Sequence, residues 1–417
     1  QGISPADGSK IAFHTGFLEE RVALTVDKKR TGSFAAFRIS FAVHGFRFPE
    51  TPILFEDMGY GFGRTGIAVL VLSAGQPRHW ESGEMQAVCR GEQDIWKYCT
   101  KEQWKEMICS FGLLGDPEIP QEIQMAVLYR FGRHSSRYYR EKKIPKRFGG
   151  VRCLMIPDSG LKAVQRRILK HILSERPVSS CACAYRKGVG IRDNAAAHVG
   201  QERVLKLDIE DFFGSITSSA VYGLVFPGTL FPPPVRGLLT ALCCCKGRLP
   251  QGSPASPAIS NLVMKPFDDS MDLWCRQRGI RYSRYCDDMT FSGSFEPGEV
   301  IRKVQSYLSE LGMRLNRRKT GVYAKNCRQE VTGITVNQKA QLSKDYRRKL
   351  RQECYYCRKY GIESHMERLG AGGQETEEQV LARLLGKIEY LLSVDPANRE
   401  FQAQREYFRK LMKTLHT

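Results

Sequence analysis

Two acidic sites, far apart along the chain and each framed by strand-like residues, limit what this sequence can fold into more than anything else in it. Residues 204–213 read VLKLDIEDFF. At strand period two, Leu205, Leu207 and Ile209 point to one side, and Lys206 and Asp208 to the other. Such a strand buries an apolar face and presents one carboxylate on the opposite, open face. Taken alone, an Asp there also suits the cap of a following helix. Residues 281–292 read RYSRYCDDMTFS, two β-rich arms around Asp287-Asp288, which in isolation also fits an exposed turn. Together the two sites set like charges side by side, and that raises a pKa or demands a cation. A hard, oxygen-liganded Mg²⁺ is the natural counter-ion, since it bridges carboxylates and substrate phosphates. A pair of such ions activates an attacking 3′-hydroxyl and stabilises a leaving pyrophosphate.

Composition narrows the partner. Of 417 residues, 42% are hydrophobic, enough for about two to four cored domains and against wholesale disorder. Lys and Arg number 64 against 44 Asp and Glu, a formal net charge of +20. That excess favours a polyanion, nucleic acid ahead of an acidic membrane surface, with a merely solvated basic surface as the alternative. No apolar run approaches the ~20 residues of a membrane span, so no membrane partner is expected. No leader-like segment is evident, and the run Cys243-Cys244-Cys245 suits reduced thiols, so a cytoplasmic protein is expected. A start at Gln1 rather than Met suits a fragment or a processed chain.

Along the chain, residues 1–84 are rich in Gly and Phe, with strand-like pieces at Ala36–Val43 and Ile67–Leu72. They form either a small accessory domain or read-through ahead of a start at Met85. Glu92–Phe111 has the spacing of an amphipathic helix. Strands and helices then alternate densely to about residue 340, as an α/β or α+β catalytic unit requires. Beyond Leu342 the pattern turns helical: Tyr346, Leu350, Cys354 and Cys357 make one stripe, Thr376 with Gln379 reads as a capping box, and Asp395-Pro396 reads as the start of a last helix. The Cys354 and Cys357 pair has the spacing of half a zinc knuckle, but it continues the apolar stripe, and packing is the expected role.

Between the acidic sites, Leu249–Leu262 reads LPQGSPASPAISNL. Gly252 and Pro254 enforce a bend, Ser256 fits an N-cap, and Pro257 fits the first helical position. Small side chains there let a nucleotide or template strand come close to the backbone; a plain loop-to-helix transition is the bland alternative.

In this order, Asp208, the Leu249–Leu262 segment and Tyr285-Cys286-Asp287-Asp288 resemble motifs A, B and C of reverse transcriptases. Asn194-Ala195-Ala196-Ala197-His198 is similar to the NAxxH element of bacterial retron reverse transcriptases, and Val331-Thr332-Gly333 to their VTG element. The resemblance runs from near residue 90 onward. Two departures stand out: Cys286 replaces the common Ala of YxDD, and Gly214 replaces a frequent proline whose loss would loosen the turn.

The resemblance implies an α+β right-hand polymerase, with fingers and palm in 85–340, a helical thumb in 341–417 and an extension of unknown role in 1–84. It implies that Asp208, Asp287 and Asp288, with the Ile209 carbonyl, hold two Mg²⁺ ions, Mn²⁺ being the alternative. Phe213 matches the steric gate against a ribose 2′-hydroxyl, although an ordinary core role stays open beside its neighbour Phe212. Gln251 would border the incoming nucleotide. Lys146, Arg147 and Arg152 would hold the triphosphate, unless they only solvate a loop. Lys319 would stand near the pyrophosphate as a proton donor or, otherwise, be a surface lysine. Asn194, His198, Val331, Thr332 and Gly333 would help recognise the cognate RNA, the alternative for His198 being a satisfied buried ring with Asn194 capping its helix.

The implied partners are a structured noncoding RNA that serves as template and primer, deoxynucleoside triphosphates, an RNA–DNA hybrid gripped by the thumb, and a separate effector in antiphage defence. The implied product is single-stranded DNA branched from an RNA 2′-hydroxyl. Two rivals remain: another bacterial defence or CRISPR-associated reverse transcriptase, and a non-catalytic RNA-binding subunit. Three mutually repelling acids weigh against the second.

Overall fold

The computed structural model describes residues 96–145, 150–368 and 376–415, together with the backbone of five strands between Thr25 and Ile53. Lys146, Arg147, Ile67–Leu72 and the residues of 1–84 outside those strands lie outside the described residues. The chain divides into two compact units, Gln1–Gln76 and Pro77–Thr417. In the first, Phe34–Ser40 lies between Thr25–Thr31 and Thr51–Ile53 in an antiparallel sheet, and Ala42–Val43 pairs with Phe46–Arg47.

The second unit is built on a four-stranded antiparallel sheet in the order Gly321–Ala324, Arg203–Asp208, Asp288–Gly293, Arg281–Tyr285. Its two faces differ, as the alternating sequence requires. Leu205, Leu207, Met289 and Phe291 are buried in a core shared with the long helix Ser256–Arg276. The opposite face carries Asp208 and Asp288 at one end and Val204 and Ser292 at the other.

Helices Lys101–Ser110, Gln121–Arg133, Ser159–Ile168 and Pro233–Cys243 extend the first core, and the antiparallel pair Tyr139–Pro145 and Val151–Pro157 stands as a two-stranded arm. Of the amphipathic stretch expected over Glu92–Phe111, residues 92–95 lie outside the described residues, residues 96–100 are not helical, and a helix starts at Lys101. Thr100 and Gln103 satisfy each other's backbone N–H groups there, and this capping box sets the start.

A second core gathers Val331, Ile334, Val336, Ala195 and Val204 around the last helices, among them Lys344–Tyr360, Glu377–Val394 and Arg399–Thr414. Leu350, Cys354 and Cys357 are buried in it, so the cysteine pair packs as its stripe implied. Thr376 and Gln379 form the expected capping box. The last helix begins at Arg399 instead of at Asp395-Pro396: Asp395 ends the preceding helix, and the Asn398 side chain accepts the Phe401 N–H. Among the described residues, no helix is long and apolar enough to cross a membrane.

Candidate active site

Asp208 ends its strand directly opposite Asp288, its Cα partner in the antiparallel pairing. Directly opposed residues of such a pair have Cα atoms about 4.5–5.5 Å apart, so the fold itself forces these carboxylates together. Tyr285 pairs with Asp288, and Cys286 and Asp287 make the two-residue turn between them. Cys286 has φ of +62°, a conformation a Cβ-bearing residue adopts at a cost and one typical of functional turns. The Ile209 N–H donates to the Asp287 carbonyl (3.1 Å), which closes the turn onto the end of the Asp208 strand.

Charge follows geometry. Burial pushes the Asp288 carboxyl up to about 6, and the neighbouring Asp287 and Asp208 push in the same direction, against Lys206 and Lys319. Lys319 donates from Nζ to Asp208 Oδ2 at 2.6 Å. Burial alone would lower its pKa, but the bond to Asp208 and the fields of Asp287 and Asp288 outweigh that and raise it. Among the described residues no three His, Cys, Asp or Glu side chains stand arranged as a ready cluster for a metal. The donor chemistry nevertheless fits a hard divalent ion: three carboxylates meet at one strand end, and a lysine ammonium lies where positive charge is needed.

Phe212, Phe213 and Gly214 follow the Asp208 strand, and Gln251 lies in the loop before the long helix. Phe212 is buried in the first core, and Phe213, half-buried, packs against the same core with its ring centroid 5.4 Å from that of Phe212. At Gly214, a Cβ would run into the Asp211 carboxylate, which fills the space a larger residue would take. Gln251 is half-buried, and its carbonyl accepts the Met155 N–H of the two-stranded arm (2.8 Å). Gly252, at φ +128°, lies where a Cβ would be 2.7 Å from the Met155 carbonyl oxygen, so only glycine allows the two backbones to cross. Ser256 is the first helical residue and not the N-cap; Ala255 takes that place, and the Ser256 hydroxyl donates to the Pro250 carbonyl instead. Arg152 is exposed on the arm strand Val151–Pro157.

Asn194 and His198 are 1% and 0% exposed, so their side chains do not reach a bound RNA directly. Both His198 nitrogens are satisfied, Nδ1 by Ser292 Oγ and Nε2 by Ser283 Oγ, each at 2.7 Å, and burial, followed by nearby Arg281, pushes its pKa down to about 3. Asn194 does not cap its helix: it lies inside Ile191–Ala196, where the Asp193 carboxylate accepts the Gly190 N–H at the start. Val331 is buried; Thr332 and Gly333, at φ +47° and +83°, form the tight turn to Ile334, with Gly333 exposed.

One element went unread in the sequence. Arg284 and Asp268 are fully buried, joined by Nε–Oδ1 at 2.8 Å and Nη2–Oδ2 at 2.5 Å. Arg284 also donates to the Cys286 carbonyl (2.9 Å), and Tyr282 donates from its hydroxyl to Asp268 (2.7 Å). This pair grips the turn of the acidic hairpin from the core. The available signal was a lone Asp on the buried side of an apolar helix and an Arg within a strand.

Comparison with known proteins agrees with this geometry. Residues 144–339 match the family described as reverse transcriptase (RNA-dependent DNA polymerase). Retron Mx65 reverse transcriptase of Myxococcus xanthus is 35% identical over 308 residues, covering 68% of this chain and 68% of the relative. Retron Ec86 reverse transcriptase of Escherichia coli is 33% identical over 205 residues, 48% of this chain and 62% of the relative. Retron Mx162 reverse transcriptase of Myxococcus xanthus is 31% identical over 306 residues, 65% of this chain and 61% of the relative.

Proposed function

The chain belongs to the retron reverse transcriptases, RNA-dependent DNA polymerases that imply a divalent metal, and from that membership we propose that it copies a structured noncoding RNA into single-stranded DNA. The observation that carries this reading is the register that sets Asp208 opposite Asp288, with Asp287 in the turn beside them. Asp208, Asp287, Asp288 and the Ile209 carbonyl would hold the metal, Mg²⁺ by preference and Mn²⁺ as the substitute. When bound, two such ions lower the pKa of a primer 3′-hydroxyl and neutralise the charge gathering on the pyrophosphate.

The protein's own groups do the rest. Lys319 keeps a proton at Nζ beside this charge and would be the group to deliver it to the leaving pyrophosphate. The half-buried ring of Phe213 is the barrier to a 2′-hydroxyl, and Gln251 borders the same nucleotide. Arg152, with Lys146 beyond the described residues, reaches the triphosphate from the arm. The basic last helices hold the hybrid by its backbone. Contact with the cognate RNA near the VTG element falls to the exposed turn at Gly333.

Priming from an RNA 2′-hydroxyl, a branched product, and service in antiphage defence with a separate effector complete the reading. Free thiols at all described cysteines suit a cytoplasmic setting. Purified protein with Mg²⁺ extends a DNA primer on an RNA template, and Asp287→Asn abolishes extension. Extension that survives this substitution removes the metal assignment. Sequencing the nucleic acid that copurifies, after debranching, identifies the template and the branch.

A further inference from the structure

The buried groups around His198 form a chain whose direction can be worked out atom by atom. The Ile191 carbonyl can only accept, so the Thr332 hydroxyl spends its single proton on it (3.4 Å). Thr332 Oγ1 must then accept from Asn194 Nδ2 (3.4 Å), which turns Asn194 Oδ1 toward Ser283. The Ser283 hydroxyl donates to that oxygen (2.6 Å) and is left to accept from His198 Nε2–H (2.7 Å). His198 Nδ1 consequently carries the lone pair and accepts from the Ser292 hydroxyl (2.7 Å). Every donor and acceptor agrees with one polarity, and the ring tautomer follows from it. The two links at Thr332 are long and the three at the hairpin short, so the chain is tightest at the sheet.

Its ends matter more than its middle. Ser283 lies on the strand that leads into the acidic turn, and Ser292 on the strand that leads out. By strand alternation Ser292 shares a face with Asp288. At the other end, Val331 beside Thr332 is buried in the core of the last helices, as is Ala195 beside Asn194.

We propose that Asn194, His198, Ser283, Ser292 and Thr332 are a positioning relay that sets the acidic hairpin against the thumb, so that the two sequence elements singled out as RNA-reading act as one mechanical unit. His198 fixes the spacing of both hairpin strands with a single neutral ring, and Asn194 and Thr332 tie that spacing to the core of the helices that hold the hybrid. This rests on the polymerase reading above. The relay acts on any template, whereas direct RNA recognition acts on the cognate one alone, and that separates the two roles.

The test uses the full chain with an RNA template unrelated to the copurifying RNA, annealed to a DNA primer. Ser292→Ala lowers kcat on it by about ten-fold, as small misplacements of reacting groups do, with KM for deoxynucleotides changed by less than about twofold. Ser292→Thr, which keeps the hydroxyl, restores kcat. Unchanged kcat on this substrate, with lost binding of the copurifying RNA, overturns the relay in favour of recognition. Nitrogen-15 NMR of the imidazole is independent of turnover: His198 stays neutral and Nε2-protonated down to pH 5, and a ring that titrates in the ordinary histidine range overturns the proposal even if polymerisation is normal. A wild-type chain that extends no primer removes the polymerase reading, while the spectrum still decides the relay.

Discussion

The acidic hairpin is gripped on its two faces by networks of opposite character. From the core, Arg284 and Asp268 hold the turn through a fully buried ion pair that reaches the Cys286 carbonyl. From the opposite face, fully buried beside the second core, Ser283 and Ser292 are joined through a neutral imidazole. An ion pair fixes position strongly, but removing either partner strands a buried charge. A neutral chain is weaker link by link, and its ring, pushed down to about 3 by burial, does not change charge near neutrality. The electrostatically crowded face therefore carries the uncharged support, and the apolar face carries the charged one.

The largest effect expected from breaking this division is on the core side. Asp268→Ala leaves Arg284 unpaired and costs about 3–5 kcal/mol of stability, measured by denaturant unfolding. Joint replacement by Asp268→Leu and Arg284→Met recovers most of that loss. If the single substitution is tolerated, the buried pair is not what anchors the turn.

Burial keeps the His198 ring neutral near pH 7, so pH sensitivity in the hairpin falls to Asp288. Its carboxyl is raised from 3.8 to about 6, chiefly by burial and then by Asp287 and Asp208. A raised acid favours the protonated folded state, so its stabilisation is complete below the ordinary value and is lost as pH rises through 6. Relative to Asp288→Asn, metal-free wild type thus loses on the order of a few °C in Tm between pH 4 and 7. Added Mg²⁺ returns more of it at pH 7 than at pH 5. Parallel curves for the two proteins would contradict the crowding of carboxylates.

On the opposite face, Ser292→Ala leaves one buried imidazole nitrogen without its donor and costs about 1–3 kcal/mol by the same unfolding measurement, less than the Asp268 lesion. The smallest effect belongs to Cys286→Ala. The core network grips the backbone at this position, and the thiol itself meets only the Tyr185 hydroxyl and its neighbour Asp287 among the described residues. Its stability change stays within about 0.5 kcal/mol. A larger change would mean that the turn is held by its side chain.

Period-two alternation in Arg203–Asp208 and the paired arms around Asp287 were legible because each depends on neighbours in sequence. So was the Thr376–Gln379 box, whose two hydrogen bonds span three residues. Helix starts at Lys101 and Arg399 were set by side-chain caps at Thr100 and Asn398 that the sequence reading missed, and Ser256 entered its helix because its hydroxyl is bound to the Pro250 carbonyl. The Arg284–Asp268 pair and the His198 chain were not legible. Their partners come from separate elements, and only the assembled sheet shows that Ser283, Ser292 and Asn194 converge on one ring.

The crossing of Gly252 over Met155 has a consequence for anyone who wishes to exchange parts between these enzymes. There the two-stranded arm is stitched to the loop before the long helix by one peptide hydrogen bond, across a gap that admits no side chain. A graft of the arm from a relative succeeds only if the recipient loop keeps a glycine at that point. The seam of a working chimaera therefore has to run outside both segments and never between them.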